Sequence, residues 1–161
     1  MISKIKKQWP KIIVFVDNCY GEFLDEKEPV AVGADLMAGS LIKNPGGGLA
    51  PTGGYVCGKQ ELVQLCACRL AAPGVGGETG ATLGINRIFL QGFFQAPTVV
   101  AQALKTAVLV GAVYQKAGFE ICPEVDDYRS DIIQSVKLED EEALKIFCRA
   151  VQEAAPVDSF V

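Results

Sequence analysis

The sequence predicts an α/β fold for a chain of 161 residues. The run KIIVFV (11–16) is continuous, apolar and rich in β-branched residues, which is typical of a strand buried on both faces of a parallel sheet. Two further short strands, DLMAGS (35–40) and GGYVCG (53–58), follow closely enough to share one sheet with it. Residues 60–70 then show the apolar spacing of a helix.

Breakers and periodicity predict the remaining elements. Residues 2–8 are expected to form a helical turn or two that Pro10 stops. Residues 73–84 are glycine-rich and are expected to form a loop. The later elements are an apolar aromatic segment, a long helix ended by Gly118, two short strands and an amphipathic helix, expected at 85–94, 98–117, 119–122, 131–138 and 139–155. We divide the chain into residues 1–95 and 96–161.

The long helix at 98–117 is apolar enough to raise the question of a membrane span. Gln102, Lys105 and Gln115 interrupt it, and polar or charged side chains are costly inside a bilayer. We therefore expect a helix that is buried in protein, and we expect no membrane partner.

The composition excludes several classes of function. The net charge is −4, the pI is about 4.9 and no basic block stands out, so nucleic-acid binding is not expected. The chain has no histidine, which excludes Ser-His-Asp and Cys-His catalysis and histidine metal sites within it. Hydrophobic residues make up 50% of the chain and the mean hydropathy is +0.26, which indicates surface that a partner subunit or further chain covers.

The six cysteines are expected to be free thiols in the cytoplasm. Residues 1–9 lack the apolar core of a secretory signal peptide, so a reducing compartment is expected. Cys66 and Cys68 form a C-x-C pair that could bind a metal, but neither a second pair nor a histidine joins them. We interpret the two cysteines as small buried hydrophobic residues.

Asp17 and Lys43 form the pair of residues that a pyridoxal phosphate site needs. Asp17 ends the first predicted strand, and Lys43 lies three residues after Ser40 and just ahead of the glycines at 46–48. The cofactor requires a lysine that binds it as a Schiff base and a carboxylate that keeps its pyridinium nitrogen protonated. The Ser40 hydroxyl and the backbone amides of the glycine-rich loop could contact the phosphate.

Other interpretations of the same residues remain open. Lys43 could be a surface lysine, Asp17 could cap the following turn, and residues 46–48 could be a flexible loop. The S-x-x-K spacing of Ser40 and Lys43 also occurs in serine acyl-transfer enzymes, but no S-D-N or K-T-G element follows it. A small phosphate- or nucleotide-binding domain built on 46–48 would lack both a Walker motif and a G-x-G-x-x-G motif after a strand.

Longer segments carry a resemblance to a known family. The segments VFVDNCYGEF (14–23) and GADLMAGSLIKNPGGGLAPTGGYVCGK (33–59) resemble the methionine gamma-lyase-like family, whose members are also labelled aluminium resistance proteins. The resemblance continues through GATLGINRIFLQGFFQAP (80–97) and RSDIIQSVKL (129–138) to PVDSFV at the end. It implies a pyridoxal-phosphate protein of fold type I, the aspartate-aminotransferase-like class.

The resemblance implies roles for three residues and an activity. Lys43 is then the Schiff-base lysine, Asp17 the partner of the pyridinium nitrogen, and Ser40 a phosphate contact. The implied activity is that of a carbon–sulfur lyase acting on a sulfur-containing amino acid. In that reaction Lys43 removes the α-proton before a thiol leaves.

Five further residues lie in matching segments with less definite roles. Arg87 and Gln91 fall in a stretch that approaches either the cofactor or a neighbouring subunit, with structural packing as the alternative. Arg129 either faces a substrate carboxylate or is a loop arginine of the smaller domain. Asn18 and Tyr20 belong to the strand-end motif without an assigned role.

The resemblance also implies that family members are much longer than this chain. They carry a large preceding segment with the phosphate-binding turn and the aromatic residue that stacks on the ring. We therefore expect the later part of a fold type I large domain, followed by the start of the small C-terminal domain. We expect an amino-acid substrate and either a homo-oligomer or an assembly with the missing half. The alternative is an inactive truncated remnant or one piece of a split enzyme.

Overall fold

The computed structural model describes residues 1–78, 80 and 83–155. The chain divides into two compact units. The first unit comprises residues 1–106 and 129–133, and the second comprises residues 107–128 and 134–161. The terminal segment PVDSFV, which carries part of the family resemblance, lies outside the described residues.

The first unit contains a three-stranded sheet in the order β1-β2-β3. Strand β1 spans Phe15–Asp17, β2 spans Leu36–Ser40 and β3 spans Gly54–Gly58. β1 runs parallel to β2 and places Asp17 beside Ala38, whereas β3 runs antiparallel to β2. The prediction that the three short strands share one sheet is confirmed, and so is the parallel orientation of the first strand.

The first strand is shorter and more exposed than the sequence predicts. Only Phe15–Asp17 pairs in the sheet, and Ile12 and Ile13 just before it are exposed. Burial on both faces requires a packed layer on each side of the sheet, and among the described residues Phe15 remains 57% exposed. The prediction of a strand buried on both faces is therefore wrong for this chain.

Three helices accompany the sheet. They are α1 (Ile2–Gln8), α2 (Gln60–Leu70) and α3 (Asn86–Lys116), of which α3 continues into the second unit. The predictions for α1 and α2 are confirmed at both ends. The loop predicted between α2 and the apolar segment is irregular throughout its described residues.

Helix α3 is continuous, so the prediction of a separate long helix beginning at 98 is wrong. The helix runs through Pro97, which has no N–H to donate to the carbonyl of Phe93. Ala96 and Val100, on either side of the proline, are buried. Tertiary packing therefore outweighs the local preference of proline to end a helix.

The loop that carries Lys43 packs against α3 by a close approach of two backbones. Residues Asn44–Gly46 form a single 3₁₀ turn. A Cβ atom on Gly47 would lie 2.2 Å from the carbonyl oxygen of Gly92, and one on Gly92 would lie 2.1 Å from that of Gly46. Only glycine fits at such distances. The interpretation of this stretch as a flexible loop is therefore wrong for its first two glycines, which are buried.

A buried carboxylate, Asp35, joins three segments at the start of β2. It is 3% exposed, and it contacts the ammonium groups of Lys6 from α1 and of Lys59 just before α2. The Val14 N–H donates to the same carboxylate at 2.7 Å. Hydrogen bonds from Lys59, Lys6 and Val14 hold the pKa of Asp35 well below its usual range. The ionised carboxylate thus ties both helices to the sheet.

The second unit is built on the C-terminal part of α3. A two-stranded antiparallel ribbon follows it, formed by β4 (Ile121–Cys122) and β5 (Ser135–Val136), and α4 (Glu141–Ala154) comes next. Tyr114 of α3 packs edge-on against Phe147 of α4, with ring centroids 6.0 Å apart. The two strands and the helix predicted for this region are confirmed in type and order, and each is shorter than predicted.

Large apolar side chains remain exposed in both units. In α3, Leu90 is 71% and Phe94 is 84% exposed, and in α4 Leu144 and Val151 are each 51% exposed. Among the described residues, the amphipathic helix α4 therefore leaves about half of Leu144 and half of Val151 accessible. The exposed area agrees with the composition, which indicated surface to be covered.

Helix α3 is long and apolar enough to cross a membrane, judged by length and composition alone. Within the described residues, 22% of its most apolar window is buried, so the expected protein-buried helix is not found. A single helix of this kind is weak evidence for a membrane span, because core helices of soluble proteins meet the same criterion.

We predict that Gly47→Ala destabilises the chain more than Gly48→Ala. Both glycines have left-handed backbones, with φ of +54° and +75°, so each substitution carries a conformational cost of about 1–2 kcal/mol. Gly48 has no atom within 4 Å of its would-be Cβ, whereas the contact with Gly92 adds an overpacking cost of about 1–3 kcal/mol at Gly47. Urea unfolding measures both variants, and equal midpoints would contradict the close contact.

Candidate functional site

Asp17 lies at the carboxyl end of β1, the position where open α/β sheets place functional residues. Its Oδ1 accepts a hydrogen bond from the Cys19 N–H at 3.1 Å, so Asp17 does cap the following turn. Hydrogen bonds from the Cys19 thiol and N–H, together with the charge of Lys43, hold the pKa of Asp17 below its usual value against an opposing effect of burial. Asp17 is therefore ionised at neutral pH.

Lys43 packs against the motif that begins with Asp17. Its Nζ lies 4.2 Å from the centre of the Tyr20 ring, in a cation–π contact. Partial burial lowers the pKa of Lys43, but hydrogen bonding with Tyr20 and interactions with Cys19 outweigh it, so that the pKa is raised. Lys43 is therefore a half-buried lysine whose ammonium group contacts the turn after β1.

Cys19 lies among the three residues that the sequence analysis selected. Hydrogen bonding to the Asp17 carboxylate, and then burial, raise the pKa of the Cys19 thiol. The same thiol interacts with the backbone of Ser40 and with the Lys43 amine. The structure thus brings Asp17, Ser40 and Lys43 together around one neutral thiol, which the sequence analysis missed. The role of Ser40 as a phosphate contact stays a prediction.

The backbone amides of the glycine-rich loop are used within the loop. The Gly46 N–H donates to the carbonyl of Lys43 at 3.0 Å, and the Gly47 N–H donates to that of Asn44 at 3.2 Å. Both amides would have to leave the turn before they could bind a phosphate. The expectation that these two amides assist phosphate binding is therefore corrected: the glycines serve close packing.

A buried acid, Glu22, fastens the Lys43 loop to the turn after β1. The Asn44 side-chain amide donates to the Glu22 carbonyl at 3.1 Å, and the Tyr55 hydroxyl donates to the Glu22 carboxylate at 2.8 Å. Glu22 is 3% exposed, and its Oε2 has no hydrogen-bond partner among the described residues. Burial raises the pKa of Glu22. Sequence analysis missed this residue, although an acid within the aromatic motif YGEF was an available signal.

A pocket of about 300 Å³ lies beside Glu22, and neither Asp17 nor Lys43 lines it. Met37 is one of its apolar lining residues, whereas Asp17 pairs with the next residue of β2, Ala38. Because successive residues of a strand face opposite sides, the pocket and Asp17 belong to opposite faces of the sheet. The pocket is therefore not a cradle for a group held between Asp17 and Lys43.

The turn after β1 is held by hydrogen bonds of Asn18. The Asn18 N–H donates to the carbonyl of Ala38 at 2.9 Å, and its buried side-chain amide donates to the Glu28 carboxylate at 2.8 Å. Tyr20 follows with a left-handed backbone, φ +70°, which is rare for a residue other than glycine. Asn18 thus has a structural role, and Tyr20 is fixed where its ring meets Lys43.

The three outlying residues named by the resemblance lie on helix α3 and in the loop between β4 and β5. Arg87 and Gln91 are exposed on α3. The Arg129 guanidinium donates to the Ile133 carbonyl at 3.3 Å within its own loop. Residues 129–133 belong to the first compact unit, and the placement of Arg129 in a smaller domain stays a prediction.

Comparisons with known proteins agree in pointing to one group. A family model described as methionine gamma-lyase matches residues 1–161. The chain is 52% identical over 161 residues to the uncharacterized protein YnbB of Bacillus subtilis. It is 47% identical to an uncharacterized protein of Lactobacillus delbrueckii subsp. bulgaricus encoded in the glnA 5′ region.

Solved structures give the same result at the level of the fold. A protein of Clostridium acetobutylicum, named as a candidate cystathionine beta-lyase involved in aluminium resistance, superposes with a TM-score of 0.94 at 51% identity. A protein of Clostridium novyi NT, named as a carbon–sulfur lyase involved in aluminium resistance, superposes with a TM-score of 0.92 at 52% identity. Each match covers 99% of this chain and 38% of the other. The chain likewise spans 38% of YnbB and 53% of the Lactobacillus protein.

We predict that Glu22→Gln changes how stability depends on pH. Because burial raises the pKa of Glu22 in the folded chain, its contribution to stability is present below the unfolded pKa of about 4.3 and is lost as the pH rises through the folded pKa. Glutamine still accepts the Tyr55 hydrogen bond and cannot ionise. The variant should therefore gain stability relative to the native chain as the pH rises above about 4.3, the ordinary pKa of a glutamate.

Urea midpoints at a series of pH values measure this change, with the exposed Glu26→Gln as the matched control. A pH dependence of the Glu22→Gln variant that is parallel to that of the native chain would show that Glu22 does not titrate abnormally.

Proposed function

The chain belongs to the methionine gamma-lyase family, and we propose that it supplies part of a pyridoxal-phosphate-dependent carbon–sulfur lyase acting on a sulfur-containing amino acid. The observation that carries the proposal is that Lys43 lies against Tyr20, in the turn that follows an ionised Asp17, and that its charge helps to lower the pKa of Asp17. The division into a large-domain part (1–95) and the start of a small domain (96–161) belongs to the same proposal.

The residues present fit one side of the cofactor. An ionised carboxylate at the end of a strand suits a protonated pyridinium nitrogen, and Asp17 is kept ionised by its hydrogen bonds from Cys19. Lys43 supplies a primary amine at the same end of the sheet. Ser40, the last residue of β2, supplies a hydroxyl. These three residues are the proposed contacts for the ring nitrogen, the aldehyde carbon and the phosphate.

The chemistry divides between the cofactor and this chain. When bound, pyridoxal phosphate accepts the electron pair that remains at the substrate α-carbon after proton removal. Lys43 would hold the cofactor covalently and would carry the α-proton on Nζ once released. Asp17 would keep a proton on the ring nitrogen. Because the pKa of Lys43 is raised, its amine is protonated at neutral pH and must lose that proton before it acts as a base.

The alternative function is that of an inactive remnant or of one piece of a split enzyme. It is favoured by the exposed apolar residues, among them Leu90, Phe94 and Leu144, because soluble monomers rarely expose large contiguous apolar surface. A second copy of the chain, or the portion of the longer relatives that this chain does not span, would cover them. Because this chain spans 38% of YnbB, the substrate and the partners of the whole protein belong to the proposal.

Covalent trapping tests the role of Lys43. The chain is incubated with pyridoxal 5′-phosphate, reduced with borohydride and mapped by peptide mass spectrometry. We expect the label on Lys43 in the native chain, its complete loss in Lys43→Arg, and no change in the control Lys27→Arg, an exposed lysine. A label spread over many lysines, or found on another single lysine, would overturn the assignment.

Substitution of Asp17 tests the second contact. Asp17→Asn keeps the shape and removes the charge, so the affinity for pyridoxal 5′-phosphate should fall about tenfold or more, the usual loss for a hydrogen bond to a charged group. Absorbance titration measures it, and an unchanged affinity would contradict the role. Thiol release from sulfur-containing amino acids by the native chain loaded with pyridoxal 5′-phosphate, without borohydride reduction, separates an active enzyme from a remnant that keeps only its lysine site.

A further inference from the structure

Tyr20 has no part in the proposed function, yet its backbone adopts a strained conformation that the surrounding turn must hold in place. Its backbone lies in the left-handed region, φ +70°, and strained residues of this kind persist only where the surrounding structure holds them. The hydrogen bonds do so here: the Gly21 N–H donates to the Asn18 carbonyl at 2.9 Å, and the Asn18 N–H donates to Ala38 of β2 at 2.9 Å. The turn therefore fixes the direction of the Tyr20 side chain.

The fixed side chain meets the amine of Lys43. The Nζ atom lies 4.2 Å from the centre of the Tyr20 ring, which is within the range of a cation–π interaction. Such a contact stabilises the ammonium form and does little for the neutral amine. Among the described residues, the titratable groups that act on Lys43 are Asp17, Cys19 and Tyr20, all from the end of β1 and its turn.

We propose that Tyr20 is a positioning residue that restrains the reactivity of Lys43, holding its amine as an ammonium ion against the ring until an aldehyde-bearing ligand draws the amine away from it. The inference rests on the proposed function for the identity of that ligand. The contact between Tyr20 and Lys43 itself is independent of it.

The chemistry of a primary amine shows what the restraint changes. Only the neutral amine has a lone pair that can attack a carbonyl carbon. Lys43 must therefore give its proton to solvent, form a carbon–nitrogen bond with the aldehyde and release the carbonyl oxygen as water. A ring that favours the ammonium form makes the first of these steps less favourable. The direction agrees with the raised pKa of Lys43.

Two substitutions separate the parts of the Tyr20 side chain. Tyr20→Phe keeps the ring and removes the hydroxyl, whereas Tyr20→Leu removes both. Trace labelling with acetic anhydride, quantified by peptide mass spectrometry from about pH 7 to about pH 12, a range that extends well above the ordinary lysine pKa of about 10.4, reports the neutral fraction of Lys43. The exposed Lys27 in the same sample is the internal reference.

We expect the pH at the midpoint of the Lys43 labelling profile to be highest in the native chain, lower in Tyr20→Phe and lowest in Tyr20→Leu. At a fixed neutral pH, Tyr20→Leu should label Lys43 about two- to fivefold faster, the change that loss of an exposed cation–π contact gives. A change in access alone would raise the rate at every pH and leave the midpoint in place. Tyr128→Phe, at an exposed tyrosine of the second unit, is the control and should leave the profile unchanged.

A midpoint for Tyr20→Leu that equals that of the native chain, or lies above it, would overturn the inference. Circular dichroism establishes that each variant is folded before labelling, and the conservative Tyr20→Phe provides a second measurement. Because acetic anhydride needs no cofactor, the result does not depend on pyridoxal phosphate. A shifted midpoint with no borohydride-trapped label on Lys43 would uphold the role of Tyr20 and refute the proposed function.

Discussion

The close approach of the Lys43 loop to helix α3 is the constraint on which the site depends. Gly46 and Gly47 meet Gly92 with their backbones, at distances that would place a Cβ about 2 Å from a carbonyl oxygen. Because the two backbones are in contact, the path of the loop across the helix is fixed. The hydrogen bond between Asn44 and Glu22 then ties the loop to the turn after β1. Lys43 reaches Tyr20 because both segments are fixed.

Two acids of one short motif have opposite electrostatic environments. Asp17 accepts hydrogen bonds from Cys19, and its pKa is lowered. Glu22 is buried, and its pKa is raised. Desolvation disfavours a charge, whereas hydrogen bonds to the carboxylate favour it. The motif therefore places one ionised carboxylate, Asp17, beside Lys43, and one buried acid, Glu22, that holds the backbone. The two acids lie five positions apart in the sequence.

The contacts that position Lys43 lie within the first unit, whereas large apolar side chains are exposed in both units. The pairing of β1 with β2 and the packing of the glycine-rich loop are internal to the first unit. The outer side of β1 and much of α3 and α4 expose apolar residues such as Phe15, Phe94 and Val151. The longer relatives, of which this chain spans 38% in the case of YnbB, have additional chain available to cover such surface.

The sequence by itself determined most of the local elements and singled out Asp17 and Lys43 as the candidate pair of site residues. Strand β2, helices α1 and α2, and the strand end at Asp17 follow from periodicity, breakers and side-chain type, which are local signals. Four features were decided by tertiary structure: the exposure of β1, the continuity of α3 through Pro97, the packed glycines of the Lys43 loop, and the joining role of Glu22. Each of these features depends on which residues, distant in the sequence, are in contact in the folded chain. Neither the spacing nor the composition of the sequence gives that information.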